Sequence, residues 1–273
     1  GKRTSKSPAH SRMIKEDRML EKFKKAKLEE VERLRRMKKD GAFPEHFSGK
    51  RPGFTSGLKR TRPAIIAEIK KASPSRGELR AEADAGELAG IYSRSGAAAV
   101  SVLTEERYFR GSMHDLSRAA SAGIPLLRKD FILDTLQVEH TACTPASAVL
   151  FIVRFINDAS ELAGLIRLAG ELGLESVVEV FNAEELKQAR RAGAQIIQVN
   201  NRDLDTLEID LDNSRRLIGQ RAGSETWISA SGIIDPGQSE EMHSLGFDAC
   251  LVGTSVMLAD NPGEKLKKLT GAG

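Results

Sequence analysis

Four charged side chains stand at or near the ends of short apolar runs, where an idle charge is least welcome. Ala64-Ile65-Ile66-Ala67-Glu68-Ile69-Lys70 carries a carboxylate and an ammonium two residues apart. Lys129 follows Leu126-Leu127-Arg128, and Glu179 follows Val177-Val178. Residues i and i+2 of a strand share a face, so Glu68 and Lys70 project together with Ala64 and Ile66. Burying a charge is costly unless it is paired or used. A structural ion pair at a sheet end accounts for Glu68 and Lys70 taken alone. Two cations and two carboxylates around one mouth do more: they push each other's protonation equilibria apart, as acid–base work at neutral pH requires.

The elements that must position them follow a regular pattern. After the strand at Ala64, apolar runs recur at Ala98–Leu103, Pro125–Leu127, Ser147–Val153, Ser176–Val180, Ile196–Val199, Thr226–Ile228 and Ala249–Val252. Amphipathic segments alternate with them: Glu82–Ser95, Ser112–Ala122, Thr135–Cys143, Ala159–Leu172, Ala183–Ala192, Asp212–Ile218, Gln238–Leu245 and Gly263–Leu269. Eight strands alternating with eight helices predict an α/β fold of the (β/α)8 barrel type. A doubly wound sheet is disfavoured, because no Gly-x-Gly-x-x-Gly follows the first strand. Active sites of such barrels sit at the C-terminal strand ends, where polar segments gather: Thr104–Gly111, Arg128–Phe131, Asn200–Asp203, Ser229–Gly232 and Gly253–Ser255. Ser231-Gly232 and Gly253-Thr254, with a short helix from about Ser255, offer backbone N–H groups to a phosphate.

Before the barrel, residues 1–12 read as a basic, apolar-poor tail expected to be disordered. Residues 13–273 then form one domain, whose extension, 13–60, opens on a helix over Met13–Lys38. Leu20, Phe23, Leu28, Val31, Leu34 and Met37 give that helix an apolar stripe, so docking on the barrel is expected. The chain has 273 residues, 40% of them hydrophobic, a net charge of +4 and a pI of about 9.0. Much of the positive excess sits between Lys2 and Lys39, with few aromatics among it, which disfavours a base-stacking nucleic-acid platform. No apolar run reaches a membrane span, and two distant cysteines, Cys143 and Cys250, provide no metal or disulfide framework. A cytoplasmic protein is the expectation.

Six motifs together resemble the indole-3-glycerol-phosphate synthase family of tryptophan biosynthesis. They are Ile66–Ser75 (IAEIKKASPS), Ser101–Ser112 (SVLTEERYFRGS), Lys129–Ile132 (KDFI), Val199–Leu204 (VNNRDL), Ser231–Ile233 (SGI) and Val252–Ser255 (VGTS). The resemblance spans Met19 to the C-terminus. It implies a barrel with an extra N-terminal helix over the catalytic mouth. It also implies a cofactor-free, metal-free carboxy-lyase that closes 1-(2-carboxyphenylamino)-1-deoxyribulose 5-phosphate to indole-3-glycerol phosphate with loss of carbon dioxide and water. By resemblance, Lys129 is the general acid of ring closure and Glu179 assists dehydration. Lys70, positioned by Glu68, holds the substrate carboxylate or supplies the second acid. Asn200 and Ser231 bind hydroxyls, and Arg202 binds the carboxylate. Ser73, Gly232, Gly253 and Thr254 take the phosphate, and Phe109, Phe131, Leu150 and Leu204 pack the aromatic ring. The expected partner is a small phosphosugar, with the chain a monomer free of nucleic acid and membrane.

The sequence departs from the family pattern where Ala230 stands in place of the usual Glu before Ser-Gly. Gln198 replaces a small or apolar residue, and Cys143–Ser147 replaces the usual Gly-Ala-Asp approach to strand four. A non-catalytic phosphosugar-binding relative is therefore the alternative. A phosphoribosylanthranilate isomerase is a further one, opposed by the lack of a Cys at the end of strand one.

Overall fold

The computed structural model describes residues 8–156, 158–204 and 206–271, with side chains from Met19 onward. The tail expected over residues 1–12 lies, for residues 1–7, outside the described residues, and helix α1 runs over Pro8–Lys39. Eight parallel strands close into a barrel: β1 (Ala64–Ile69), β2 (Ala99–Leu103), β3 (Leu126–Lys129), β4 (Ala148–Ile152), β5 (Glu175–Val180), β6 (Ile196–Asn200), β7 (Thr226–Ala230) and β8 (Ala249–Val252). β1 pairs with both β2 and β8, which closes the ring. The outer helices are α2 (Ala85–Arg94), α3 (Met113–Ala119), α4 (Thr135–Ala142), α5 (Ala159–Glu171), α6 (Ala183–Arg191), α7 (Asp212–Ile218), α8 (Pro236–Leu245) and α9 (Pro262–Thr270).

Strands β3 and β7 reach two residues further than their apolar runs, because Arg128-Lys129 and Ser229-Ala230 complete ladders with their neighbours. The outer helices begin where side chains cap them. Asp84 accepts from the N–H groups of Gly86 and Glu87, Asp134 forms a capping box with Gln137, and Asp235 precedes a helical Pro236.

Two cores result from strand alternation. Outward residues such as Ile65, Val100, Val149 and Ile197 pack under the helices, whereas Ile66, Leu127, Leu150 and Ile228 fill the barrel. Neighbouring strands of an eight-stranded barrel are offset by about one residue along the axis, so alternate strands bring their side chains level. The register then places Glu68, Lys129, Glu179 and Ala230 in one interior layer, from β1, β3, β5 and β7. Ser101, Leu150, Gln198 and Leu251 form the layer beneath.

The extension docks, but not with the whole stripe. Phe23, Val31 and Leu34 are buried, whereas Leu28 is 56% exposed and Lys27 only 2%. Positions 23, 27, 31 and 34 repeat at helical spacing and define the docked face; Leu28 lies well round the helix from it. A lysine thus occupies a slot where apolar content pointed to Leu28.

Candidate active site

A cavity of about 340 Å³ opens at the C-terminal ends of the strands. Its floor is the charged layer. Lys70 Nζ lies 2.8 Å from Glu68 Oε1. Burial alone would raise the carboxyl of Glu68, but Lys70 and then Lys129 more than offset this, so it sits below the usual carboxylate range. Across the barrel, Lys129 Nζ stands 3.8 Å from Glu179 Oε2. That oxygen also accepts from Gln198 Nε2 at 2.6 Å, and Glu179 Oε1 accepts from Asn200 Nδ2 at 2.9 Å. Asn200 is itself held, because its Oδ1 accepts from the backbone N–H of Arg202 at 3.0 Å. Arg202 donates to Leu207 O at 2.8 Å, and burial followed by the nearby Arg76 lowers its guanidinium from the ordinary arginine value.

The β7 and β8 loops form the other end. Ser231 and Gly232 are consecutive left-handed residues, at φ 70° and 87°. Asn201 fixes the turn by donating to Ser229 Oγ and Ser231 O. A Cβ on Gly232 would lie 2.7 Å from Ile209, and one on Gly253 would run into the Glu68 carboxylate. The backbone at both positions can therefore approach a ligand only as glycine. Gly253 leads into a single helical turn, Thr254–Met257.

Aromatic residues make one wall. Phe109 and Phe131 line the cavity with ring centroids 6.1 Å apart, and Phe23 from α1 stacks behind Phe131 at 4.3 Å. Phe109 ends a short helix that buried Glu105 caps by accepting from three N–H groups. Beneath this wall, Lys27 Nζ pairs with Asp130 Oδ1 and Glu30 Oε2, each at 2.6 Å, and Arg128 Nη2 reaches Asp130 Oδ2 at 3.0 Å. Burial opposes the Lys27 charge, but Asp130 and Glu30 outweigh it and raise the ammonium above its ordinary value.

Of the expected residues, Glu68, Lys70, Lys129, Glu179, Asn200 and Ser231 all line the cavity, as do Phe109, Phe131, Arg202, Leu204, Gly232, Gly253 and Thr254. Two do not. Ser73 is buried in a small hairpin of Ala72–Ser73 with Gly77–Glu78, and Leu150 lies one layer below the floor. Leu103 and Ile152, on the inward faces of β2 and β4, line it and were missed, although strand alternation could have found them. Arg76 also lines it from a loop, where no periodicity marks it. Neither cysteine lines the cavity, and burial pushes the Cys250 thiol up to about 12, so neither is placed as its nucleophile.

Comparison with known proteins agrees with this geometry. A sequence profile of the family described as indole-3-glycerol phosphate synthase matches residues 20–269. Relatives of that name include one from Aquifex aeolicus, 42% identical over 221 residues, covering 80% of this chain and 85% of its own. Another, from Exiguobacterium sibiricum, is 37% identical over 254 residues, covering 93% and 97%. Among solved structures, thiamine phosphate pyrophosphorylase from Pyrococcus furiosus is similar with a TM-score of 0.57 at 15% identity, covering 77% of this chain and 95% of that one. A 3-hexulose-6-phosphate synthase gives 0.57 at 15% identity, covering 77% and 99%. These two likenesses concern the barrel fold alone.

Proposed function

From the premise that the chain belongs to the indole-3-glycerol phosphate synthase family, we propose a division of labour among its residues. The reaction is the decarboxylating, dehydrating ring closure of 1-(2-carboxyphenylamino)-1-deoxyribulose 5-phosphate, a carboxy-lyase step of tryptophan biosynthesis. The observation that carries the residue roles is the Lys129–Glu179 approach, 3.8 Å apart on the cavity floor, opposite the Glu68–Lys70 pair.

The arene carbon bearing the carboxylate attacks the ketone carbon, and Lys129 protonates the ketone oxygen as the new C–C bond forms. The bond to the carboxylate then breaks, carbon dioxide leaves, and its electron pair restores the aromatic ring. In the dehydration, Glu179 takes a proton from the methylene carbon beside nitrogen. The hydroxyl departs as water with a proton from a lysine, Lys129 or Lys70. Glu179 can return its proton across the short gap to Lys129. One further proton comes from solvent, which balances the loss of a carboxylate. Arg202 and Lys70 hold the carboxylate, while Asn200 and Ser231 hold hydroxyls. Gly232, Gly253 and Thr254 cradle the phosphate, with Ser73 supporting that end from its hairpin. Phe109, Phe131 and Leu204 sandwich the ring, with Leu150 packing beneath.

The same reading takes the chain as a cytoplasmic monomer acting on a small phosphosugar rather than on nucleic acid. The monomer part of this reading is supported by one chain lining the whole cavity. The test is to incubate the purified protein with the substrate and follow indole fluorescence. The signal should rise with the wild type and stay flat with Glu179→Gln. Tight binding without turnover by the wild type would instead identify a non-catalytic phosphosugar-binding relative.

A further inference from the structure

Gln198 is fully buried on β6, in the layer below the floor, and does not line the cavity. Its Nε2 donates to Glu179 Oε2 at 2.6 Å, while its Oε1, also buried, has no hydrogen-bond partner among the described residues. A buried carbonyl oxygen left alone is uncommon in folded proteins and calls for a reason. The reason lies in what Glu179 must do. While Glu179 is ionised, its Oε2 needs a donor and Nε2 supplies one. Once Oε2 carries a proton turned to the side that faces Gln198, an O–H and an N–H confront each other, and the contact becomes unfavourable. Asn200 cannot relieve it, because its Oδ1 is committed to the N–H of Arg202. Gln198 can, because its free oxygen and its NH2 group are nearly the same size and exchange places by a half-turn of the amide.

We propose that Gln198 is a positioning residue that turns its amide in step with the protonation of Glu179, donating to the carboxylate and accepting from the acid. This rests on the reading of Glu179 as the group that takes the methylene proton. In that step the C–H bond breaks, an O–H bond forms at Glu179 Oε2, and the O–H donates to Gln198 Oε1. When the proton passes to Lys129, the amide turns back. Ala230 sits level with Glu179 in the same interior layer and presents only a methyl group, so no second carboxylate competes for the amide.

The experiment is isotope-edited infrared spectroscopy of the protein carrying carbonyl-labelled glutamine. The Gln198 band is identified by its loss in Gln198→Met or Gln198→Leu. On acidification of the wild type, this band should move to lower frequency as the free carbonyl gains a hydrogen bond, and in Glu179→Gln it should stay put. Gln198→Met should lower kcat by about 10-fold, the scale of one hydrogen bond to a charged group, with KM within about twofold. A Gln198 band that does not move while Glu179 takes up its proton, or that moves equally in Glu179→Gln, overturns the proposal. So does full kcat in Gln198→Met. An inactive Glu179→Gln with a static band sinks the amide turn alone; an active Glu179→Gln removes the role of Glu179 and the proposal with it.

Discussion

Arg128, Lys129 and Asp130 are consecutive charged residues at the end of β3, yet they belong to two different worlds. Alternation sends Arg128 outward, under α1, and Lys129 inward; Asp130, just past the strand end, turns its carboxylate to Arg128 and Lys27 while also bordering the cavity. On the outer side the charges are saturated: Asp130 accepts from Lys27, Arg128, Thr104 and the N–H of Phe131. Burial opposes its ionisation, but Lys27 and then Arg128 hold its carboxyl far below the usual range. On the inner side, Lys129 has one carboxylate at 3.8 Å and an open cavity in front of it. Charge of one kind, two faces apart, is structural where every lone pair and proton is spoken for. It is available for chemistry where it is not. Within the inner layer, Lys129 also helps to keep Glu68 ionised across the cavity floor.

Substitutions that separate the two faces test this contrast. The largest effect is expected inside: Lys129→Ala should lower kcat by ~10²–10⁴-fold, the usual loss of a general acid, with an unchanged urea unfolding midpoint. Activity within threefold of wild type would remove Lys129 from the acid role. On the outer face the pattern should reverse in kind. Lys27→Met leaves buried Asp130 and partly buried Glu30 short of a partner, which costs about 3 kcal/mol of stability. Urea unfolding followed by circular dichroism reads this, and a loss under 0.5 kcal/mol would show that the cluster is not saturated by design.

His140, beside the same outer cluster, supplies a pH test. Burial, then Arg128, lowers its imidazolium from 6.5 to about 4. Because the folded value is depressed, the unfolded chain binds more protons between these two values. The contribution of His140 is therefore present above about pH 6.5 and lost as pH falls towards 4, at no more than ~1.4 kcal/mol per pH unit. A urea midpoint equally pH-dependent over this window in His140→Gln would contradict it. The smallest effect is expected at Ala230, whose neighbours already clamp Glu179. Ala230→Glu should change kcat/KM by no more than ~100-fold in either direction, the reach of a charged hydrogen bond. An inert wild type restored to turnover by Ala230→Glu would turn the catalytic reading round.

The order of strands and helices and the place of Glu68, Lys70, Lys129 and Glu179 at the strand ends were legible in the sequence because each rests on a local regularity, whereas the roles of those four came only from the family resemblance. Period-two alternation put Glu68 and Lys70 on one face, and polar residues after apolar runs marked the strand ends. What lay beyond reach was every relation set by closure. Leu150 was expected against the ligand, and closure of the barrel puts it one layer too deep. Leu28 was expected in the interface and Lys27 outside it, because composition cannot show that Asp130 and Glu30 wait at one point on the docked face. Gln198 was visible as a departure from the family pattern, but not as the partner of Glu179, nineteen positions away and one strand over. The sequence by itself determined which residues are strand, helix and rim, since those depend on neighbours along the chain. Only the tertiary structure decided which charges are satisfied and which are left to react, because a hydrogen bond is settled by distance and direction between groups the chain order keeps apart.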